Sequence, residues 1–431
     1  MNKFTTGLLL SFFTLTGATA IAQLPTTTTE AAGYDPVKLA KIQELLDPLY
    51  ESGRIPNYVV ALAKGGRIFY SAMRGDTEIG SGNPVTLDTV YALASMTKPL
   101  TTTVAFQLMQ EGKLAFEDGI NQFYPDFEDL LVAPGGSFEA DFQELEREIT
   151  ILDLITHTSG FTYGESVIGK GDVAKQYDDL GVFTGEGSLR TADENAEILA
   201  EVPLIAQPGT AFNYSIGLDL LGGILEQIEG KRLGQIFKER LFNPLGMQNS
   251  GFRRPEKAGS YAVLYGIPKV GQSPLGQVSG SDIIWKINKA DGLRNPYPAM
   301  DAGGGGMYGS ADDYLRYLTM LTTQGAFAGQ QILDPASVKQ HFTDLVPGIA
   351  FRPARNFGEG AALVAFGGGF GIRLEAVDSE DVDYYFWGGA NNTGFWIDRQ
   401  DGSVGVFLTQ HFPSRYNMTG QLEELVDAAR L

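Results

Sequence analysis

Ser95-Met96-Thr97-Lys98 places a hydroxyl and an amine three residues apart within an apolar stretch. On a helix that spacing brings both side chains to one face, about one turn apart. A serine hydroxyl is a poor nucleophile until a neighbouring base takes its proton, and a buried lysine amine is one group that takes part in this. The start of a helix adds free backbone N–H groups and a positive dipole end, both suited to a developing oxyanion. Alone the motif is common: a chain of 431 residues holds roughly one or two matches by chance. The ordinary reading, a capping serine with a surface lysine, fits poorly here. Leu93, Ala94, Leu100, Val104, Ala105 and Phe106 surround Lys98 in sequence, and a buried lysine needs a reason.

Other chemistries find little support. The chain has no cysteine and three histidines, His157, His341 and His411, far apart and outside any His-Glu-x-x-His pattern. Thiol catalysis, disulfides and Cys-ligated metals are excluded, and no metal or other cofactor is expected. No Gly-x-Ser-x-Gly occurs, which excludes a nucleophile elbow of the α/β-hydrolase kind. Gly304, Gly306 and Gly309 satisfy Gly-x-Gly-x-x-Gly, but Pro296-Tyr297-Pro298 ahead of them is no strand, so a dinucleotide site is not expected. A net charge of −20 disfavours nucleic acid and anionic lipid as partners.

The elements that must position Ser95 and Lys98 follow from periodicity. Asp35 to Tyr50 reads as an amphipathic helix, and Tyr58 to Ala63 with Arg67 to Ala72 reads as a hairpin turned by Gly65-Gly66. Lys98 to Gly112 is a largely apolar, buried helix closed by Gly112. Helix signals dominate residues 113–290. Thr150 with Asp153 and Thr191 with Glu194 are capping boxes, and Asn213 to Gly230 and Leu233 to Leu241 are periodic. Gly164 to Thr191 reads as a long loop. Ser310 with Asp313 caps a helix over Ala311 to Leu321. Strands then return at Gly371 to Ala376, Asp383 to Trp387, Thr393 to Asp398 and Val404 to Gln410, before a last helix opened by Thr419. The expectation is an α+β fold: an antiparallel sheet flanked by helices and completed by both chain ends, with an all-helical insert domain. Residues 23–112 with 291–431 form the sheet domain and 113–290 the insert.

Residues 1–22 read as a signal peptide, with Lys3, an apolar run from Leu8 to Leu15, and Ala20-Ile21-Ala22 as a small-x-small cleavage site. The run is too short to span a bilayer of about 30 Å. The expected product is periplasmic or secreted, without a membrane anchor.

Taken together, the motifs resemble a known superfamily. Ser95-Met96-Thr97-Lys98-Pro99 resembles the nucleophile element of class C β-lactamases, DD-peptidases and the related family VIII carboxylesterases. His157-Thr158-Ser159-Gly160, Gln207-Pro208-Gly209-Thr210 with Tyr214-Ser215, Asn243 to Met247, Gly303 to Tyr308 and Trp387-Gly388-Gly389 follow in that superfamily's order, across roughly residues 35–430. The resemblance implies that Tyr214 is the second catalytic residue, sharing proton transfer with Lys98. It also implies an oxyanion hole from the N–H groups of Ser95 and Ala390, and it places His157 in a structural loop and Gly303 to Tyr308 beside the active site. Which of Lys98 and Tyr214 takes the first proton stays open.

Two departures bear on substrate. Trp387 stands where lactamases and DD-peptidases carry a cation at the third motif, and Ile216 replaces the Asn of Tyr-x-Asn. Loss of the cation removes a holder for a substrate carboxylate, and Trp387 with Gly388 and Gly389 is the arrangement of the esterase branch. The expected function is a serine hydrolase cleaving small carboxylic esters through acyl-Ser95. Two rival readings remain: a peptidase, amidase or acyltransferase using the same residues, or an inactive sensor on the same fold.

Overall fold

The computed structural model describes residues 23–182, 189–257, 259–266, 285–286, 298–349, 364–374, 382–412 and 418–431. Residues 1–22, read above as a signal peptide, lie outside the described residues.

A seven-stranded antiparallel sheet carries the fold. Its strands are β1 (Asn57–Lys64), β2 (Arg67–Gly75), β3 (Val364–Phe366), β4 (Gly371–Leu374), β5 (Val382–Gly389), β6 (Thr393–Asp398) and β7 (Ser403–Leu408), in the order β3-β4-β5-β6-β7-β1-β2. The pairing of β1 with β7, with Val59 opposite Leu408 and Ala61 opposite Val406, joins the N-terminal hairpin to the C-terminal meander. Gly65 and Gly66 turn that hairpin at φ of 56° and 74°, the left-handed values that a tight two-residue loop requires. Strands β6 and β7 are buried along their whole length, so both faces must be covered.

Successive residues of a strand point to opposite faces, and β6 shows which helix covers which. Gly394 leaves room for Thr419 of the C-terminal helix, Met418–Ala428, while Phe395 meets Tyr314 at 5.3 Å between ring centroids. Tyr314 belongs to the helix Ala311–Thr322, which thus covers the opposite face. The Tyr314 hydroxyl donates to Met96 O at 2.9 Å, so this face also receives the segment that bears Ser95.

Helix α1 (Lys98–Gln110) has every residue from Lys98 to Leu108 buried. Helix α2 (Gly217–Glu229) packs against it. Elsewhere the described residues differ from expectation in several places. Asp172–Leu180 forms a helix within the presumed loop, because Val173, Ala174 and Tyr177 share one buried face and Gly181 closes it in the left-handed region at φ 65°. Residues 213–216 stay outside α2, held by tertiary bonds described below. The periodic run from Leu233 ends in a π-helical turn, Lys238–Phe242. Strand β3, three residues at the sheet edge, has no comparable signal. The short pairs Leu131–Val132 with Gln143–Glu144, and Tyr265–Gly266 with Trp285–Lys286, accompany the helices of 113–290.

Candidate active site

Ser95 sits in a 3-10 turn, Ala94–Thr97, that runs directly into α1. Just before it, Ala94 holds φ at +49°, uncommon for a residue with a Cβ. Neighbouring bonds enforce that turn. Tyr91–Ala92 pairs with Tyr308–Gly309, Leu93 N–H donates to Met307 O at 2.9 Å, and Thr97 Oγ1 donates to Ala94 O at 2.7 Å.

Lys98 has no solvent exposure. Its Nζ donates to Ser95 Oγ at 3.2 Å, to Tyr163 Oη at 3.1 Å and to Gly304 O at 2.6 Å. An ammonium has three N–H donors and no acceptor, so these three oxygens satisfy it completely. The same Nζ lies 4.6 Å from the Tyr214 ring centroid, and a desolvated cation gains from such a ring face.

The Tyr214 hydroxyl lies 2.7 Å from Ser95 Oγ, closing the triangle of hydroxyl, amine and phenol. His157 places it. His157 O accepts the Asn213 N–H at 2.8 Å, and His157 Nδ1 accepts the Ser215 N–H at 3.1 Å, so one residue brackets Tyr214 from both sides. These bonds replace the helical ones that would otherwise begin α2 earlier. An acceptor Nδ1 requires a neutral ring. Burial, with the Lys98 charge as the lesser cause, holds His157 well below the usual histidine range. His157 is therefore a buried histidine bonded through Nδ1, and its ring lies tilted at 55° to that of Tyr214, 4.6 Å between centroids.

A buried carboxyl also feels the Lys98 charge. Asp219, on the first turn of α2, is 5% exposed and accepts the Gly304 N–H at 2.9 Å. Burial pushes it up to about 6, against the opposing pull of Lys98 and the Gly304 N–H. Tyr163, Gly304 and Asp219 complete the surroundings of Lys98. Ile216, in the place of the family's amide, is buried in the core, and the Tyr163 phenol and Gly304 carbonyl supply acceptors to Lys98 instead.

The third motif lies across from this triangle. Asn391 Nδ2 donates to Ala92 O at 2.9 Å and Thr393 Oγ1 to Leu93 O at 3.1 Å, pinning the β5–β6 turn to the residues before Ser95. A Cβ on Gly389 would strike Leu93 O, so only glycine permits this approach. Gly388 is half-buried beside it, and Ala390 is exposed at the strand end. Among the described residues neither the Ser95 N–H nor the Ala390 N–H has an acceptor. Trp387 is 2% exposed, with its ring 5.6 Å from Tyr214 and 5.3 Å from Phe366. It backs the phenol. Among the described residues no group of three or more His, Asp or Glu is placed to hold a metal, and no helix is long and apolar enough to cross a membrane.

Known proteins resemble this chain over most of its length. The beta-lactamase family model matches residues 42–428. The chain belongs to the beta-lactamase family. It is 30% identical over 392 residues to Esterase EstB of Burkholderia gladioli, covering 86% of this chain and 90% of that one. It is also 30% identical to Protein Rv1367c of Mycobacterium tuberculosis, over 87% and 89% of the two chains. Among solved structures, EstCE1, described as a hydrolase with promiscuous acyltransferase activity, superposes with a TM-score of 0.72 at 26% identity, covering 90% of this chain and 98% of that one. Simvastatin synthase of Aspergillus terreus shares the fold, with a TM-score of 0.72 at 22% identity over 92% and 97% of the two chains. Within the beta-lactamase family this chain thus falls near the carboxylesterases.

Tyr163, Gly304 and Asp219 were not singled out as site residues by sequence reasoning. Asp219 carried a usable signal: it is the lone charge in Ile216-Gly217-Leu218-Asp219-Leu220-Leu221, the same anomaly that drew attention to Lys98.

Proposed function

We propose that this beta-lactamase family member is an exported carboxylesterase that works through an acyl-Ser95 intermediate. The observation that carries the reading is the triangle of Ser95, Lys98 and Tyr214, with Tyr214 Oη 2.7 Å and Lys98 Nζ 3.2 Å from the nucleophile oxygen. An ammonium has no lone pair to accept with, so Tyr214 is read as the acceptor of the Ser95 proton, entering the step as the phenolate with its charge balanced by the Lys98 ammonium. Ser95 Oγ bonds to the ester carbonyl carbon as its proton passes to Tyr214. The tetrahedral oxyanion lies between the N–H groups of Ser95 and Ala390, each such donor contributing about 3–4 kcal/mol to the transition state. Tyr214 returns the proton to the departing alcohol as the C–O bond breaks. Water then adds to the acyl group, again giving its proton to Tyr214, which returns it to Ser95 Oγ as the acyl C–O bond breaks and the acid departs.

Trp387, in place of the cation that would hold a carboxylate, favours neutral esters over penicillins and D-amino acid peptides. The relatives named esterases, EstB and the lovastatin esterase of Penicillium rubens, support the same bond type. Transfer of the acyl group to an alcohol is the second reading, favoured by relatives named acyltransferases, among them Acyltransferase calJ of Penicillium decumbens at 27% identity. Export follows from the signal-like residues 1–22 and is tested by N-terminal sequencing of the mature protein.

The deciding experiment compares turnover of a short-chain 4-nitrophenyl ester, a D-Ala-D-Ala peptide and a chromogenic cephalosporin by wild type and Ser95→Ala. Ester cleavage should lead, and it should vanish in the variant. Faster amide cleavage, or equal rates for both proteins, refutes the assignment. Added alcohol separates the two acyl fates by product analysis.

A further inference from the structure

The residues that touch Lys98 do not include the ones that hold its strongest acceptor. Gly304 O, at 2.6 Å, is the shortest of the three contacts to the ammonium, and a main-chain carbonyl goes where its loop goes. That loop, residues 301–307, crosses between α1 and α2 and is tied to both. Thr101 Oγ1, one turn beyond Lys98 on α1, donates to Gly303 O at 2.6 Å. Asp219, on the first turn of α2, accepts the Gly304 N–H at 2.9 Å. The carbonyl and the N–H belong to the same peptide unit, between Gly303 and Gly304. One peptide plane is thus gripped from the helix that carries Lys98 and from the helix that follows Tyr214.

The fit allows no slack. A Cβ on Gly303 would meet Leu218 O at 2.5 Å and Thr101 Oγ1 at 3.3 Å, and one on Gly304 would strike the Asp219 carboxylate. The loop ends are fastened separately, by Arg232 on Asp301 at 2.6 Å and by the Met307 N–H on Thr97 Oγ1 at 3.1 Å. Thr101 and Asp219 are therefore not needed to keep the loop attached. Asp219 is also an unusual choice for plain packing, since a carboxylate buried to this degree is unfavourable unless it has partners.

We infer that Thr101 and Asp219 are positioning residues that act as a pair on the Gly303–Gly304 peptide, and through it fix the Lys98 ammonium against Ser95. The inference rests on the esterase reading only in taking Ser95 as the nucleophile and Lys98 as its partner. Neither residue touches the substrate. Small displacements of a catalytic group are costly, with 1 Å worth up to about 100-fold in rate.

The test is a double-mutant cycle on the full chain with 4-nitrophenyl acetate, accompanied by thermal unfolding of each variant and by the rate at which a fluorophosphonate labels Ser95. Thr101→Val keeps the shape and removes the donor, so kcat should fall roughly tenfold or more with KM within about twofold. Thr101→Ser restores the hydroxyl and should recover most of the rate. Asp219→Ala should act like Thr101→Val, while the double variant should be little slower than the worse single one, because both act on one peptide. Labelling rates should follow kcat. Wild-type kcat in a folded Thr101→Val, or losses that multiply in the double variant, overturns the inference. If Asp219→Ala does not fold, the Val and Ser variants of Thr101 decide alone. Slow variants of an enzyme that proves to prefer amides uphold the inference while refuting the ester reading. A wild type inert to both reagents refutes both.

Discussion

Thr150, Thr191 and Ser310 cap helix starts, and Ser95, in the turn that leads into α1, behaves differently. Thr150, Thr191 and Ser310 each accept the N–H three residues on, as capping residues do. In the first two, Asp153 and Glu194 return the bond to complete a capping box. Ser95 caps nothing: its oxygen faces Tyr214 and Lys98, and the helix start it occupies has no side-chain cap. The sequence pattern is similar in all four places. What separates them is whether a tertiary neighbour, here a phenol from a distant loop, competes for the hydroxyl. At that uncapped start the Ser95 N–H has no acceptor among the described residues.

The contrast predicts opposite outcomes for the same kind of truncation. Ser95→Ala should lower ester turnover by at least about 1000-fold while leaving the thermal midpoint unchanged, because no cap is lost. Activity and unfolding measured on one preparation check both halves. Tyr214→Phe should follow, with a loss of about 100-fold to 10,000-fold in kcat. Steady-state kinetics on the ester would show it, and a loss under threefold would remove Tyr214 from proton transfer. Thr150→Ala and Thr191→Ala should do the reverse, each lowering stability by about 1 kcal/mol in denaturant titrations with kcat intact.

The smallest effect concerns the third cap. Asp313, three residues after Ser310, turns its carboxylate to the Asn249 N–H at 2.7 Å and Ser250 Oγ at 2.8 Å. Burial pushes it up to about 7. The folded chain then holds a proton that the unfolded chain releases near pH 4. Its contribution to stability is complete below that pH and is lost as pH rises through about 7. Asp313→Asn keeps the acceptor without the charge and should flatten the fall in stability between pH 4 and 7. An unchanged slope in unfolding titrations across that range would count against a buried, protonated Asp313.

Local patterns made much of this architecture legible. The Gly65-Gly66 hairpin, both capping boxes, the buried α1 helix and the closing meander all depend on contacts near in sequence. Ser95 and Lys98 were legible for the same reason, since a single helical turn joins them. Tyr214 became a candidate through ordered family motifs, because nothing local tells a phenol that will meet a serine 119 residues away. Tyr163 and the Gly304 carbonyl had no signal as partners of Lys98, although the family motifs place Gly303 to Tyr308 beside the site. One is a loop aromatic and the other a main-chain carbonyl, and neither carries a periodic signal. The helix boundary at Gly217 was misplaced because His157 captures the N–H groups of Asn213 and Ser215, a tertiary bond overriding local periodicity.

The account turns on which atom carries the acyl group. Mixing the enzyme with a 4-nitrophenyl ester, quenching in acid within the first turnovers and mapping the adduct by peptide mass spectrometry reads that atom directly. The acyl mass should appear on the peptide containing Ser95 and be absent from Ser95→Ala. An adduct elsewhere, or rapid ester turnover by the variant, would contradict the mechanism.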